Sequence, residues 1–324
     1  MGNVFASGLA PPPLAEPVPS PNMPAEENVP KSSQQNSTDQ NPGSLEDLHK
    51  KCKDVFPTVF DGSKFMVTKA LSNHFQISHT LNMTSPNPGY RFGATYVGTN
   101  QISPVEAYPI LLGDIDPNGN LNANIFHQYK NIRGKFAAQV QDNKFVGTQV
   151  TTDYRGSNYT ASATFANVDI LNHSGVAVLQ YLQNVTPSIA VGTEMAYQYG
   201  PQVPGGEIAL MSLAGRYTGA NYTVSGSVGA ASIHACFWRK HNENIQVGVE
   251  AETNLRLGES VCTIGYQVDL PKANMVFRGM VDTTWNVGAV LEKKLHPLPF
   301  TLALSGMINH TNVQHKFGIG LIIG

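Results

Sequence analysis

The stretch Asn244-Ile245-Gln246-Val247-Gly248-Val249-Glu250-Ala251-Glu252 decides the fold, because apolar and polar residues alternate along it without a break. Successive side chains of a β-strand point to opposite faces of a sheet, so this stretch predicts a strand with two distinct faces. One face carries only Ile, Val and Ala, and the other carries Asn, Gln, Gly and two Glu residues. The same period governs the chain from about Gly62 onward, and we therefore expect an all-β protein.

Other stretches of about eight to eleven residues repeat this alternation, and that length is close to a tilted membrane strand. Phe300–Ile308 places Phe, Leu and Ile on one side and Thr, Ala and Ser on the other. Similar ribbons occur at Tyr90–Gly98, Phe136–Gln141, Val146–Tyr154, Ile189–Tyr199, Tyr222–Val228 and Ile264–Leu270. We count roughly seventeen to twenty ribbons, separated by turns rich in Asn, Gly, Asp and Pro. No helical period lies between them, which excludes a parallel α/β sheet.

The composition favours a barrel in a membrane. Charged residues make up only 14% of the 324 residues, against roughly 25% in a typical soluble domain. A lipid-facing surface explains the deficit, because charge is costly there, and the opposite face of the ribbons is rich in uncharged polar residues. The mean hydropathy of −0.18 is too low for a helical membrane protein, and no stretch approaches the roughly 18 apolar residues of a spanning helix.

Aromatic residues near the ends of the apolar faces indicate girdles at the two membrane interfaces. These residues are Tyr154, Tyr159, Tyr197, Tyr199, Tyr266, Trp238 and Trp285. A soluble β-propeller or sandwich is the competing interpretation. A propeller should repeat a motif about every 40–50 residues, and a sandwich should carry charge on its outer faces. The sequence has neither property, so we predict a membrane barrel.

The N-terminal part divides into two regions. Residues 1–43 are rich in Pro, Ser, Asn and Gln and cannot bury enough apolar area to fold, which predicts a disordered tail. Residues 44–60 predict a short amphipathic helix and a linker, with Ser44 as the N-cap and Pro57 as the stop signal. The apolar stripe of this helix is Leu45, Leu48, Cys52, Val55 and Phe56. Residues 61–324 then form the predicted barrel.

The last ribbon, Lys316–Ile323, matches the assembly β-signal of mitochondrial outer-membrane barrels at Lys316, Gly318, Leu321 and Ile323. Longer runs agree with it, namely Leu71–Gln76, Thr95–Thr99, Met211–Gly215, Gly265–Asn274, Val290–Leu295 and Leu298–Leu304. From about Pro42 to Gly324, the chain resembles the family of pore-forming subunits of the mitochondrial outer-membrane protein translocase.

This resemblance implies a 19-stranded barrel whose first and last strands pair in parallel and whose N-terminal helix lies inside the lumen. It also implies a multi-pass protein of the mitochondrial outer membrane that conducts unfolded precursor proteins from the cytosol to the intermembrane space. The implied partners are precursors with basic presequences, small single-span subunits, receptor subunits, a second barrel and membrane lipids.

Acidic side chains in the lumen should attract basic presequences over about 8 Å, the Debye length at physiological salt. Alternation places five candidates on polar faces: Glu194, Glu250, Glu252, Asp269 and Asp282. Each acid could instead pair with a neighbouring base such as Arg278 or Arg91. Phe126, Val290 and the helix stripe are candidates for an apolar lining that would bind the hydrophobic parts of precursors.

The sequence contains no catalytic motif and no phosphate-binding loop, so we expect neither an enzyme nor a cofactor. Cys52, Cys236 and Cys262 form no CxxC pair, and we expect neither disulfides nor a metal site. A net charge of −2 gives no reason to expect nucleic-acid binding. The alternative function is a voltage-dependent anion or metabolite channel of the same porin superfamily, which would share the barrel but carry a basic lumen.

Overall fold

The structure is a computed structural model that describes residues 41–324, except 85–87, 104–105, 143, 170–172, 202, 204 and 312. The predicted tail, residues 1–43, lies outside the described residues apart from its last three positions, so its disorder stays a prediction. No helix among the described residues is both long and apolar enough to cross a membrane.

The described chain is almost entirely β-strand. It contains α1 (Lys50–Lys53), β1 (Gly62–Ala70), β2 (Phe75–Met83), β3 (Gly89–Ser103), β4 (Glu106–Ile115), β5 (Leu121–Tyr129), β6 (Ile132–Gln141), β7 (Lys144–Arg155), β8 (Tyr159–Asp169), β9 (Ser174–Thr186), β10 (Ile189–Tyr199), β11 (Glu207–Thr218), β12 (Tyr222–Gly229), β13 (Ser232–Asn242), β14 (Ile245–Asn254), β15 (Glu259–Leu270), a 3₁₀ turn (Pro271–Ala273), β16 (Met275–Asp282), β17 (Asn286–Leu295), β18 (Phe300–Asn309) and β19 (Gln314–Ile323). Each strand predicted from alternation falls within one of these elements, except that Asn244 precedes β14 by one residue.

The strands form one closed sheet. Each strand pairs antiparallel with the next, and β1 closes the barrel by pairing in parallel with β19, Gly62 opposite Gly318 and Val67 opposite Ile323. Strand directions alternate along the chain, so the first and last of an odd number point the same way and must pair in parallel. The 19-stranded barrel and its parallel seam are therefore confirmed.

The two faces of the wall differ as alternation predicts. Large apolar side chains such as Phe136, Leu179 and Ile264 are exposed on the outer face. The inner face carries small or polar residues, and several of them, including Thr151 and Ser162, are buried. Directly paired residues share a face of the sheet, so the strand register assigns each remaining residue to the outside or to the lumen.

The structure places the tyrosines of the predicted girdle on the outer face, but it places Trp238 on the inner face. Tyr159 and Tyr181 stack on the outer face with ring centroids 5.9 Å apart, and Tyr197 and Tyr199 stack in the same way. Trp238 pairs with Gly248 on the inner face, where its Nε1 donates to Gln246. The sequence does not show which face of the sheet an aromatic residue occupies when the polarity around it does not alternate clearly. The neighbours of Trp238, Phe237 and Arg239, are such a case.

Candidate functional site

The chain before β1 lies inside the barrel. Asn41 donates to the carbonyl of Gly156 at 2.7 Å, and Phe60 donates its backbone N–H to Ser305 Oγ at 3.0 Å. About twenty residues thus reach from the β7–β8 turn to β18, and only a path through the lumen contacts strands so far apart in the wall. We call residues 44–60 the inner segment.

The inner segment contains less regular helix than the sequence predicts. Ser44 caps its start, because the N–H of Asp47 donates to Ser44 Oγ at 3.3 Å. Only Lys50–Lys53 is α-helical, and the flanking turns use i→i+3 bonds such as Leu48 N–H to Leu45 O at 3.1 Å. So short a helix has little stability of its own, and contact with the wall decides its shape.

The predicted apolar stripe faces the wall. Leu48, Cys52 and Val55 are at most 3% exposed, while Leu45 and Phe56 are partly buried. Burial of one such side chain contributes about 1.5–3 kcal/mol. The lumen helix stripe is therefore placed where the resemblance implied, against the inner face of the barrel.

Inward-facing glycines make room for this stripe. A Cβ at Gly192 would lie 2.8 Å from Leu45 Cδ1, and a Cβ at Gly265 would lie 2.5 Å from Phe56 Cδ1. Gly248 lies under Cys52 in the same way, at 3.1 Å from its Sγ. Real side chains do not approach a Cβ this closely, so these positions admit the inner segment only because they lack side chains.

The contact continues to the barrel seam. Val59 lies against Gly288 of β17, and Phe60 lies against Gly318 and Gly320 of β19. The register places Gly248, Gly265 and Gly288 in one row, with Met280 between the last two. The inner segment therefore follows the circumference of the wall instead of the barrel axis.

The five predicted acids all face inward, but their surroundings differ. Glu194 accepts a hydrogen bond from Gln180 at 2.7 Å, and Asp269 accepts one from Gln267 at 2.9 Å. Glu250 lies 2.5 Å from His234 Nε2. Glu252 is exposed to the lumen.

Asp282 is the exception among the five. Its carboxylate accepts hydrogen bonds from the backbone N–H groups of Thr284 and Asn286, at 2.8 and 2.9 Å. It also accepts the side-chain amide of Asn286 at 2.7 Å. These contacts shape the turn between β16 and β17, so Asp282 is the weakest candidate for ligand binding.

Glu250, Glu252 and Asp269 form what we call the acidic wall, on β14 and β15. Glu252 pairs with Val261, and Asp269 lies 269 − 261 = 8 residues further along the same strand. At about 3.3 Å per residue, these levels are roughly 26 Å apart. The acids therefore extend along most of the wall, and the separation between Glu252 and Asp269 exceeds one Debye length.

Sequence reasoning missed other inward acids. Glu292 pairs with Arg278 at 3.3 Å, so Arg278 neutralises this acid instead of a predicted one. Glu46 lies within electrostatic reach of Asp47, Asp153 and Glu194. Alternation along β7 and β17 could have assigned Asp153 and Glu292 to the lumen. The acids of the inner segment could not be assigned in this way, because their position depends on where the segment docks.

Basic residues occupy the opposite side of the lumen. This basic wall consists of Lys64 on β1, Arg91 on β3, Arg133 and Lys135 on β6, and Arg155 on β7. In a ring of 19 strands, β6 lies about half a turn from β15. Bases therefore predominate on this side of the lumen, although Asp114 of β4 and Asp153 of β7 also face inward there.

A histidine lies where the inner segment meets the wall. His49 Nδ1 is 2.8 Å from Ser225 Oγ of β12. Burial, and then the neighbouring His234, lower the pKa of His49 to about 4. His49 is therefore neutral at physiological pH and can act as a hydrogen-bonding or metal-binding imidazole.

The β-signal residues divide between the two faces of β19. Lys316 and Gly318 face the lumen, opposite Met307 and Ser305, whereas Leu321 and Ile323 face outward. The wall leaves no space for a side chain at Gly318, because a Cβ there would collide with Phe60. The glycine thus has a packing role in the folded barrel, and a role in assembly stays a prediction.

Replacing Gly318 separates these two roles. We expect Gly318→Leu to reduce the yield of assembled barrel because its side chain overlaps Phe60. The clash includes the backbone oxygen of Phe60, which Phe60→Ala would leave in place, so the test removes residues 1–60 instead. If packing is the cause, this truncation should restore assembly of Gly318→Leu to the level of the truncated parent, measured by protease resistance after membrane insertion. A truncated Gly318→Leu chain that still assembles more poorly than the truncated parent would assign the glycine to recognition during assembly.

The fold and the lumen define a membrane-spanning β-barrel pore with a segment docked inside. Sequence comparison supports this class, since the eukaryotic porin family profile matches residues 41–318. The solved structure of Wzi, an outer-membrane carbohydrate-binding β-barrel of Escherichia coli, aligns with a TM-score of 0.51 at 8% identity. That alignment covers 76% of this chain and 78% of Wzi, and it supports the fold alone.

Full-length relatives define the family more closely. The mitochondrial import receptor subunit TOM40 homolog 2 of Drosophila melanogaster is 54% identical over 286 residues, covering 88% of this chain and 84% of that protein. The Caenorhabditis elegans TOM40 homolog is 52% identical (88% and 95% covered), and the human one is 48% identical (88% and 78% covered). The chain belongs to the eukaryotic porin family and, within it, to the TOM40 family.

Proposed function

We propose that this protein is the pore of the mitochondrial outer-membrane protein translocase and conducts unfolded precursors from the cytosol to the intermembrane space. The observation that carries the proposal is 54% identity over 88% of the chain to a mitochondrial import receptor subunit. The barrel geometry supports it, because barrels of 16–18 strands already leave an aqueous channel. Transport through such a pore requires no covalent step, and we propose no catalytic activity.

The distribution of charge supports binding of basic presequences. A presequence helix carries positive charge on one face, so it would be attracted by the acidic wall and repelled by the basic wall. Exposed ion pairs contribute only about 0.2–1 kcal/mol each. Sites this weak hold a passing chain briefly and release it, as transport through a pore requires.

Apolar lining would bind the mature parts of precursors. Phe126 of β5 supports this role, because it is only partly buried and faces the lumen, with Lys135 Nζ 5.8 Å from its ring centroid. Val290 of β17 is the weaker candidate, because it is only 4% exposed.

A bilayer recording tests the function against the anion-channel alternative. We expect the purified full-length protein to prefer cations and to be blocked by a basic amphipathic presequence peptide. A scrambled peptide of the same charge but without an apolar face serves as the control. Clear anion preference together with insensitivity to the presequence would assign the protein to the metabolite channels.

We further propose that small single-span subunits, a receptor subunit and a second barrel bind the lipid-facing surface. The support is the family membership and the long apolar outer face, which outer-membrane lipids would otherwise cover. Native electrophoresis after mild detergent extraction would test this proposal. A barrel that migrates only as a monomer under conditions that preserve its lipids would contradict it.

A further inference from the structure

Nitrogen and sulfur ligands converge where the inner segment meets β13. The rings of His49 and His234 lie with centroids 4.2 Å apart, and Cys236 Sγ is 3.4 Å from His234 Nε2. The potential ligand atoms of His49, His234 and Cys236 all lie within 4.8 Å of one another. The carboxylate of Glu250 is 2.5 Å from His234 Nε2 on the same side.

One of these distances already matches the dimensions of a tetrahedral zinc site. Zinc binds imidazole nitrogen at about 2.0–2.1 Å and thiolate sulfur at about 2.3 Å. Two ligands of a tetrahedron are separated by about 1.6 bond lengths, or roughly 3.3–3.7 Å for these bonds. The separation of 3.4 Å between Cys236 Sγ and His234 Nε2 lies within that range.

The surroundings also suit a metal. Metal-binding histidines usually hydrogen-bond through their second ring nitrogen, which fixes the ring orientation. Ser225 Oγ contacts His49 Nδ1 at 2.8 Å and leaves Nε2 available for coordination. Cys52, on the inner segment beside Cys236, offers a second thiol close to the same point.

We propose that Zn²⁺ binds between His49, His234 and Cys236, and that the carboxylate of Glu250, now hydrogen-bonded to His234 Nε2 at 2.5 Å, moves away from this nitrogen to complete the tetrahedron. A thiolate and imidazoles together form a donor set that binds zinc in preference to hard cations such as Mg²⁺, which favour oxygen ligands. The first ligand lies on the inner segment and the other three lie on β13 and β14. Zinc therefore clamps the segment to the barrel wall, and it neutralises one member of the acidic wall.

The test uses the folded full-length barrel in detergent, with Co²⁺ as a spectroscopic probe and Zn²⁺ as competitor. We expect one metal ion per chain and a thiolate-to-cobalt charge-transfer band that Zn²⁺ abolishes. Cys236→Ser should remove the band, and His49→Ala should weaken binding on the order of 100-fold. Cys262→Ser and His127→Ala, both on the outer face, are the matched controls and should leave binding unchanged.

A second measurement needs no substitution and so does not depend on a variant folding. Alkylation of Cys236 in the wild-type barrel, followed by mass spectrometry, should slow on the order of 100-fold when free Zn²⁺ is 100 times its Kd. EDTA should restore the rate, and Cys262 should react equally in both conditions. Absence of the cobalt band, or equal alkylation of Cys236 with and without Zn²⁺, would overturn the proposal and leave a hydrogen-bonded cluster without metal.

Discussion

Leucine at both Gly248 and Gly265 is expected to release the inner segment from the barrel wall. The nearest atoms to a Cβ at either position all belong to Cys52, Val55 or Phe56. The new side chains therefore overlap the inner segment and leave the neighbouring strands untouched. Overpacking costs about 1–3 kcal/mol per site, and the docked state would lose roughly 2–6 kcal/mol.

Thiol chemistry at Cys52 reports this release. Cys52 is 2% exposed when docked, so its alkylation depends on transient undocking. A loss of about 2 kcal/mol raises the undocked population about 30-fold, because about 1.4 kcal/mol corresponds to tenfold. The measurement uses a chain in which Cys236 and Cys262 are replaced by serine, and it follows the rate of maleimide labelling.

The matched control is Gly113→Leu. Gly113 lies on β4 with nothing within 4 Å of a built Cβ, so the same substitution there adds volume without meeting the segment. Its labelling rate should equal that of the parent chain. We also expect the double variant to show a larger single-channel conductance, since the released segment no longer occupies part of the lumen. Unchanged labelling and conductance in the folded double variant would show that the glycines do not hold the segment.

The two-residue period was sufficient to predict the wall and its faces. Along Asn244–Glu252, lipid and water impose opposite requirements on successive side chains, so polarity alone assigns each residue to a side. The same rule placed Glu194 and Asp269 in the lumen correctly. It was wrong at Trp238 because a large amphipathic ring suits either side, and its Nε1 found Gln246 across the strand pair.

The exact strand number did not follow from the ribbons, whose count allowed roughly seventeen to twenty. Neighbouring ribbons separated by short turns look alike whether the barrel closes with an even or an odd number. Closure of the barrel depends on pairing between β1 and β19, which lie at opposite ends of the barrel sequence. The resemblance to a known family supplied the number 19, and the parallel seam follows from it.

The docking of the inner segment could not be predicted from its own residues. The apolar stripe indicated that residues 44–60 pack on something, but the partner surface is a row of glycines on strands far away in sequence. Gly248 and Gly265 look like ordinary weak points of a strand until the register brings them together. For the same reason the three cysteines suggested no metal site, because His49 and Cys236 meet only through the tertiary fold.

Reversing the charge of Glu252 and Asp269 together is expected to weaken presequence block of the pore by about fivefold or more. Each change replaces an attraction with a repulsion, and exposed pairs are worth about 0.2–1 kcal/mol. Two such reversals therefore shift the binding free energy by roughly 1–4 kcal/mol. Glu250 is kept native, because it contacts His234 and its loss would also disturb the junction with the inner segment.

Single-channel recording with a basic presequence peptide measures this effect as the rate and duration of blocking events. Glu252 lies on β14 and Asp269 on β15, at different levels of the wall, so reversal of one should shorten events without abolishing them. The control is Glu207→Lys, which alters net charge as much as either single reversal but lies on the outer face, where Tyr197 donates to it. Screening adds a second check, since raising the salt should shorten block of the parent pore and affect the double variant much less. If block of Glu252→Lys/Asp269→Lys matches that of Glu207→Lys at low salt, the acidic wall does not bind presequences, and the apolar lining must account for recognition instead.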